Sequence, residues 1–358
     1  MKSCKMSPTK TDTNVYVRWE GAEFIFICTW VDDFCVLSNS QRLYDDVKSI
    51  YFSTYKCSEE DCHFMLGAHL DVDLAKGQIK IHSQKQISRI LQKFGIPSRT
   101  SLVPATQDFA KFDEEEYSSR DTEPELFEER RARYRSLVPS LLYLATTTRP
   151  DVAYAVGTLC RFMESPSEAH LRGAETVLSY LAKTSAHGIV FQKDKSLELS
   201  ARYSPLKDGL LGLSDSSWST GKSISGYVLL LAGVAVVWAC KRQPVTSLSS
   251  TEAEYYAASS CGAEILYVRH LLHDLGCPQH SPTPLLVDNS ACVSLGKDPG
   301  TCKRARHIDR RIHFLSDYQE MGDLQLYFIS TKDNVADVFT KPLEKITFSK
   351  HRDVLVTA

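Results

Sequence analysis

Apolar residues recur along this chain in two periods, and the switches between them mark out its parts. Two apolar runs between Glu23 and Ser38 flank Asp32-Asp33, which predicts a hairpin with both acids at its tip. Helical spacing follows at Gln41–Tyr55 and Gln84–Phe94, with strands at His63–Leu74 and Gln78–His82 turning around Lys76-Gly77. From Val103 to Arg130 the pattern dissolves into Pro, Ser, Thr and acids, which predicts a connecting segment. Helices resume at Tyr134–Thr147, Val152–Met163 and Ser167–Thr184, interrupted at Arg149-Pro150-Asp151. His170 and His187 in this block read as surface or capping residues.

Beyond Leu199 the period becomes that of strands. Gly209–Ser217, Ile224–Leu231 and Val234–Cys240 predict an antiparallel meander. A long helix follows from Ser247 to Gly276, with Ser249, Ser250 and Thr251 as N-cap candidates and Gly276 and Pro278 as its stop. Its apolar stripe runs through Ala257, Cys261, Ile265, Val268, Leu272 and Leu275, and Glu254 lies on that same stripe. Glu252, three residues after Ser249, fits a capping box instead. A strand at Leu285–Asp288, a short helix from Asn289, a basic helix at Lys303–Glu320, a strand at Asp323–Ile329 and a last helix from Lys332 complete the order. Three strands, helix, strand, helices, strand, helix fits a mixed sheet with helices on its faces.

A carboxylate on an apolar stripe needs a donor, a cation or a metal to offset its desolvation. Asp215 after Leu210-Leu211-Gly212-Leu213, Asp288 at the end of Pro284-Leu285-Leu286-Val287, and Asp337 all occur in settings that can converge with Glu254. Four carboxylates point to a divalent-metal site.

Composition changes this picture little. The 358 residues suffice for more than one domain, and 43% hydrophobic residues can build cores. A net charge of -2 gives no global basic field, so any polyanion surface must be local. Asp108–Glu129 is mostly acidic, while Lys297, Lys303, Arg304, Arg306, Arg310 and Arg311 form a basic cluster after Asp288. The 11 cysteines, odd in number and without CxxC pairs, fit reduced thiols, and the spacing of Cys57, Cys62, His63 and His69 matches no zinc pattern. Neither a membrane span nor a signal-peptide core is legible, so the expected setting is intracellular, without a membrane partner.

The segments Ser214-Asp215-Ser216-Ser217-Trp218, Ser247-Leu-Ser-Ser-Thr-Glu-Ala-Glu-Tyr255, Val287-Asp288-Asn289-Ser290, Arg306-His-Ile-Asp309 and Asp333-Asn-Val-Ala-Asp-Val-Phe-Thr-Lys-Pro342 resemble the ribonuclease H domain of copia-type LTR retrotransposon polyproteins. Upstream, Trp30-Val31-Asp32-Asp33 resembles the YVDD motif of the reverse transcriptase palm, with Trp in place of Tyr. Thr148-Arg-Pro-Asp-Val-Ala-Tyr154 is similar to the motif that joins polymerase to ribonuclease H in that family.

The resemblance implies an α/β (α+β) chain. A partial reverse transcriptase palm and thumb start is expected over 1–105, an acidic linker and helical connection over 106–200, a ribonuclease H-like mixed five-stranded sheet with flanking helices over 201–345, and a tail over 346–358. It implies Asp215, Glu254, Asp288 and Asp337 as catalytic metal ligands for two Mg²⁺, with Mn²⁺ as a substitute. Asp32 and Asp33 would be the metal-holding remnant of a polymerase that lacks its earlier aspartate, so DNA synthesis is not expected from this chain alone. An RNA/DNA hybrid is the implied partner, held through its backbone by Lys303, Arg304, Arg306, His307, Arg310 and Arg311. The absent polymerase half or other Pol products are further partners, in a cytoplasmic virus-like particle or the nucleus. Cellular ribonucleases H often carry a mobile histidine in the loop before the last aspartate; here Thr331, Lys332 and Asp333 occupy that region, so the role is either absent or filled by another residue such as His307. Trp218 and Trp238 read as core. A relic that keeps the fold as a binding module, or another nuclease or integrase on the same fold, are the competing readings.

Overall fold

The computed structural model describes residues 4–98, 100–114, 124–193, 209–218, 222–297 and 309–358. The chain divides into two compact units, one built from the residues up to Met65 with Ile265–His280, the other from Leu66–Glu264 with Ser281–Ala358.

In the first unit an antiparallel sheet runs in the order Ser7–Pro8, Val15–Glu20, Glu23–Trp30, Asp33–Ser38. Alternation turns Ile25 and Ile27 inward against Leu43 and Val47 of the helix Gln41–Thr54, whose first turn is capped by Ser40. The predicted hairpin is present: Trp30 pairs with Asp33 across a turn of Val31 and Asp32, and both acids are exposed. Val31 has φ 53°, a left-handed value that a β-branched residue adopts only under strain.

The second unit contains an antiparallel ribbon and a five-stranded sheet, with helices between and around them. The ribbon pairs Ala68–Asp73 with Gln78–His82, and Gln78–His82 in turn with Ile189–Gln192, a strand not foreseen from the sequence. Helices Gln84–Phe94, Pro124–Thr147, Ala153–Leu159 and Glu168–Lys183 share one core with the sheet. The segment expected to be a linker joins that core: Phe109 and Phe112 are buried from Gln107–Glu114, and the following helix starts at Pro124. His170 proves to be a buried cap, its Nδ1 accepting the Ser167 N–H at 3.0 Å.

The five-stranded sheet runs Val234–Arg242, Ile224–Leu231, Leu210–Ser217, Thr283–Val287, Leu324–Phe328. Its first three strands are antiparallel and its last two run parallel to the central one. This is the mixed sheet with flanking helices that the resemblance implies. Leu210–Asp215 is buried throughout, as a central strand covered on both faces must be. The long helix spans Ser250–Asp274, with Ala257, Cys261, Ile265 and Val268 buried.

Three expectations need correction. The last helix does not begin at Lys332; short 3₁₀ turns occupy Thr331–Asp333 and Val335–Phe339, because the Asn334 side chain bonds the Ala336 N–H and tightens the chain there. Residues 346–358 are not a tail, since the helix Lys345–Leu355 buries Phe348, His351, Val354 and Leu355. Trp218 is half-exposed and donates from Nε1 to the Ser247 carbonyl at 3.2 Å, so its polar tip, not burial, fixes it.

Candidate metal centre

Asp215 lies near the end of the central strand, Asp288 just past Thr283–Val287, Glu254 in the first turns of the long helix and Asp337 in the second 3₁₀ turn. Parallel strands place their C-terminal ends at one edge, which is where open sheets build sites. Among the described residues, ligand oxygens of Asp215, Glu254 and Asp288 come within 4.8 Å of one another. Cys57, Cys62, His63 and His69 form no such group there. Asp337 joins the three through a cation: Lys341 Nζ is 2.9 Å from Asp337 Oδ1 and 3.5 Å from Asp215 Oδ2.

Asp215, Glu254 and Asp288 each have one oxygen held by a protein hydrogen bond. The Ser216 N–H donates to Glu254 Oε1 at 3.2 Å, the Thr331 hydroxyl to Asp288 Oδ2 at 2.8 Å, and the buried Thr340 hydroxyl to Asp215 Oδ2. Glu254 Oε2 is buried with no hydrogen-bond partner among the described residues. A buried carboxylate oxygen left this way is costly in a finished polar cluster, but is what a cation ligand requires. Hard oxygen donors at this spacing suit a divalent cation, so these residues fit the metal that the resemblance implies.

Glu252, by contrast, is a cap. Its backbone N–H donates to Ser249 Oγ at 3.1 Å and its Oε2 accepts the Leu248 N–H at 2.7 Å. Lys303, Arg304, Arg306 and His307 lie outside the described residues, as does the side chain of Arg310. The Arg311 guanidinium stacks 3.5 Å above the Tyr256 ring and donates to Ser259 Oγ at 3.4 Å, so packing on the long helix restrains it. Asp32 and Asp33 belong to the first unit and stand outside the acidic group.

Several residues that build the site escaped sequence reading. Asn334, fully buried, donates from Nδ2 to the Ser214 carbonyl at 2.9 Å and ties the Asp337 turn to the Asp215 strand. Gly226 pairs with Asp215, and a Cβ there would stand 2.6 Å from Thr340 Cγ2 and 2.7 Å from Phe339 Cβ. A glycine inside a strand signals such an approach. Gly226→Ala is therefore expected to destabilise the fold by about 1–3 kcal/mol. It should also weaken metal-induced stabilisation, because the Asp337 turn must move. Urea unfolding with and without Mg²⁺ checks both, and a variant equal to wild type in each would show that the turn is not held this way.

Burial dominates the electrostatics. It lifts Asp215 to about 7, partly opposed by Lys341, and Glu254 to about 9, reinforced by Asp215 and Asp288. Asp337 also rises through burial, opposed by Lys341. These acids bind protons more tightly folded than unfolded, where carboxyls titrate near ~4. Their contribution to metal-free stability is thus fully present below about pH 4 and lost as pH climbs from there, the loss being complete above about 7 for Asp215 and about 9 for Glu254. Thermal melts across this range should show wild type falling relative to Glu254→Gln, with Mg²⁺ raising wild-type Tm most at high pH, where fewer protons compete. A rise of wild type relative to the variant would contradict the assigned burial effect.

No family model matches the chain. It is 29% identical over 348 residues to the retrovirus-related Pol polyprotein from transposon RE1 of Arabidopsis thaliana, covering 94% of this chain and 22% of that protein. It is 31% identical over 256 residues to a transposon Ty5-1 protein of Saccharomyces cerevisiae, covering 70% of this chain and 77% of that protein. Of solved structures, the foamy viral protease-reverse transcriptase in complex with RNA/DNA hybrid aligns with TM-score 0.45 and 13% identity over 85% of this chain and 36% of that one. The chain spans 22–26% of the length of the RE1, RE2 and TNT 1-94 polyproteins that it matches. Similarity along nearly its whole length to the Pol polyproteins, and over most of the length of the Ty5-1 protein, makes this chain a member of the copia-type retrotransposon Pol family.

Proposed function

We propose that the second unit is a metal-dependent ribonuclease H that hydrolyses the RNA strand of RNA/DNA hybrids, with Asp215, Glu254, Asp288 and Asp337 as its metal-binding acids. The observation that carries this reading is the convergence of three carboxylates within 4.8 Å, with Glu254 Oε2 buried and unpartnered among the described residues. Bound Mg²⁺, in a pair or replaced by Mn²⁺, would supply activation of water and neutralisation of charge at the phosphate and leaving oxygen. The chain's own residues hold the acids in place: Ser216, Thr331 and Thr340 each fix one carboxylate oxygen, and Asn334 anchors the turn that carries Asp337. Such a site uses no nucleophilic side chain.

Recognition would rest on the hybrid's backbone, since a nuclease that degrades any template cannot depend on base identity. The basic stretch around Lys303 to Arg311 supplies cations for phosphate contacts, making binding fall with salt, and 2′-hydroxyl contacts would select RNA. The test is cleavage of an end-labelled hybrid by the purified chain. Mg²⁺-dependent RNA cutting with 5′-phosphate and 3′-hydroxyl products, and none of the matching DNA duplex, is the expected result. A folded chain that leaves a saturating hybrid intact with Mg²⁺ and with Mn²⁺ would refute the reading.

A further inference from the structure

Lys341 follows Asp337 by four residues and reaches back over the turn, placing Nζ 2.9 Å from Asp337 Oδ1 and 3.5 Å from Asp215 Oδ2. The two carboxylates are nearly inaccessible, at 5% and 3% of side-chain surface, whereas the lysine keeps 35%. The lysine thus bridges two inaccessible acids while about a third of its own side chain stays open to solvent. Thr340, the residue before it, is anchored on Asp215, so the backbone from which the lysine reaches is fixed.

We propose that Lys341 is a built-in counter-ion that stabilises the metal-free cluster, competes with the metal for Asp215 and Asp337, and swings outward when the metal binds. This rests on the metal-site reading above. The charge balance favours it. Four acids carry four negative charges when ionised, and one lysine offsets only one of them, enough to hold the cluster together but not to satisfy it. Two divalent cations would neutralise all four acids, and a retained ammonium would then face like charge at short range. Its partial exposure gives it a way out that a buried arginine would lack. The consequence is a raised metal threshold: the site loads only where free metal is abundant enough to displace its own cation.

The test compares wild type, Lys341→Gln, Lys341→Arg and Asp288→Asn as full chains, reading Tm and calorimetric binding against Mg²⁺ and Mn²⁺. Lys341→Gln should melt lower without metal, yet half-saturate at roughly tenfold lower Mg²⁺, the ratio that about 1.4 kcal/mol of lost competition represents. Lys341→Arg, which keeps the charge, should bind metal like wild type. An unchanged or weakened metal affinity in Lys341→Gln, with wild type responsive, would overturn the proposal alone. A wild type as unresponsive as Asp288→Asn would overturn the metal site and the proposal together. A second readout needs no variant. Amine-labelling mass spectrometry of wild type should show Lys341 reactivity rising several-fold with Mg²⁺ while that of exposed Lys183 stays level, and a flat or falling Lys341 signal would refute the outward swing.

Discussion

Asp288→Asn is expected to lower hybrid cleavage at least ~10³-fold, the scale on which sites lose rate when a preorganised charge-stabilising group is removed. The fold should survive. Asp288 is half-buried, and its Oδ2 accepts the Thr331 hydroxyl at 2.8 Å, a bond that the asparagine carbonyl can also accept. The substitution keeps shape and removes one negative charge from beside Asp215 and Glu254, so metal-free stability should hold or rise slightly. Asp215→Asn should match it in rate, with its Thr340 contact retained. Cleavage of a labelled hybrid, with Tm measured in parallel with and without Mg²⁺, separates these effects. Full activity in Asp288→Asn would remove Asp288 from the site, while lost activity together with a collapsed Tm would mean that it acts through the fold.

The two glutamates two residues apart show how far residues alone could lead. Their helical phase put Glu254 on the apolar stripe and Glu252 at the cap, and the structure has Glu254 beside Asp215 and Asp288 with Glu252 bonded to Leu248 and Ser249. Periodicity carries such information because burial is read along one element. The five strands were legible for the same reason, each being an apolar run bounded by turns. What was not legible depends on contacts distant in sequence. Ile189–Gln192 is too short to show alternation and becomes a strand by pairing with Gln78–His82. Gly226 matters only because Phe339 and Thr340 pack over it. Helical spacing after Lys332 predicted a helix, but Asn334 turns its side chain onto Ala336 N and Ser214 O and competes for the backbone. Lys341 lies within the Asp333–Pro342 motif, and its four-residue offset from Asp337, an ion-pair spacing, is the sign of its role that the sequence carries.

Arg149→Met is expected to cost about 3–5 kcal/mol, a large part of the ~5–15 kcal/mol that holds a typical domain folded. Arg149 and Asp151 are both fully buried within the motif that breaks the helical block, and they form a two-pronged pair at 2.9 and 2.7 Å. Two of the three remaining guanidinium protons go to the Thr184 carbonyl at 2.9 Å and its hydroxyl at 2.7 Å, closing the end of the helix Glu168–Lys183, and the Tyr180 hydroxyl donates to Asp151 Oδ2 at 2.6 Å. Burial works against both charges, but their mutual attraction outweighs it, so Arg149 is held charged and Asp151 is held below the usual carboxylate range. The pair's contribution is therefore present above the free aspartate's pKa of about 4 and is lost progressively as pH falls from there through the lowered Asp151 value. Removing the arginine alone strands a buried carboxylate. Removing both, as in Arg149→Met with Asp151→Leu, should recover much of the loss, because matched apolar groups replace a desolvated pair at little net expense. The effect should reach the acidic cluster as well. The Tyr180 ring packs edge-on to Phe348 at 5.7 Å, and Phe348 belongs to the helix Lys345–Leu355, which begins four residues after Lys341, so loosening Tyr180 is expected to free the segment that presents Asp337. Urea unfolding of the single and double variants, with Mg²⁺-induced Tm shifts on each, measures both consequences. A single-variant cost below about 1 kcal/mol, the range of an exposed pair, would show that this motif is not the keystone its burial implies.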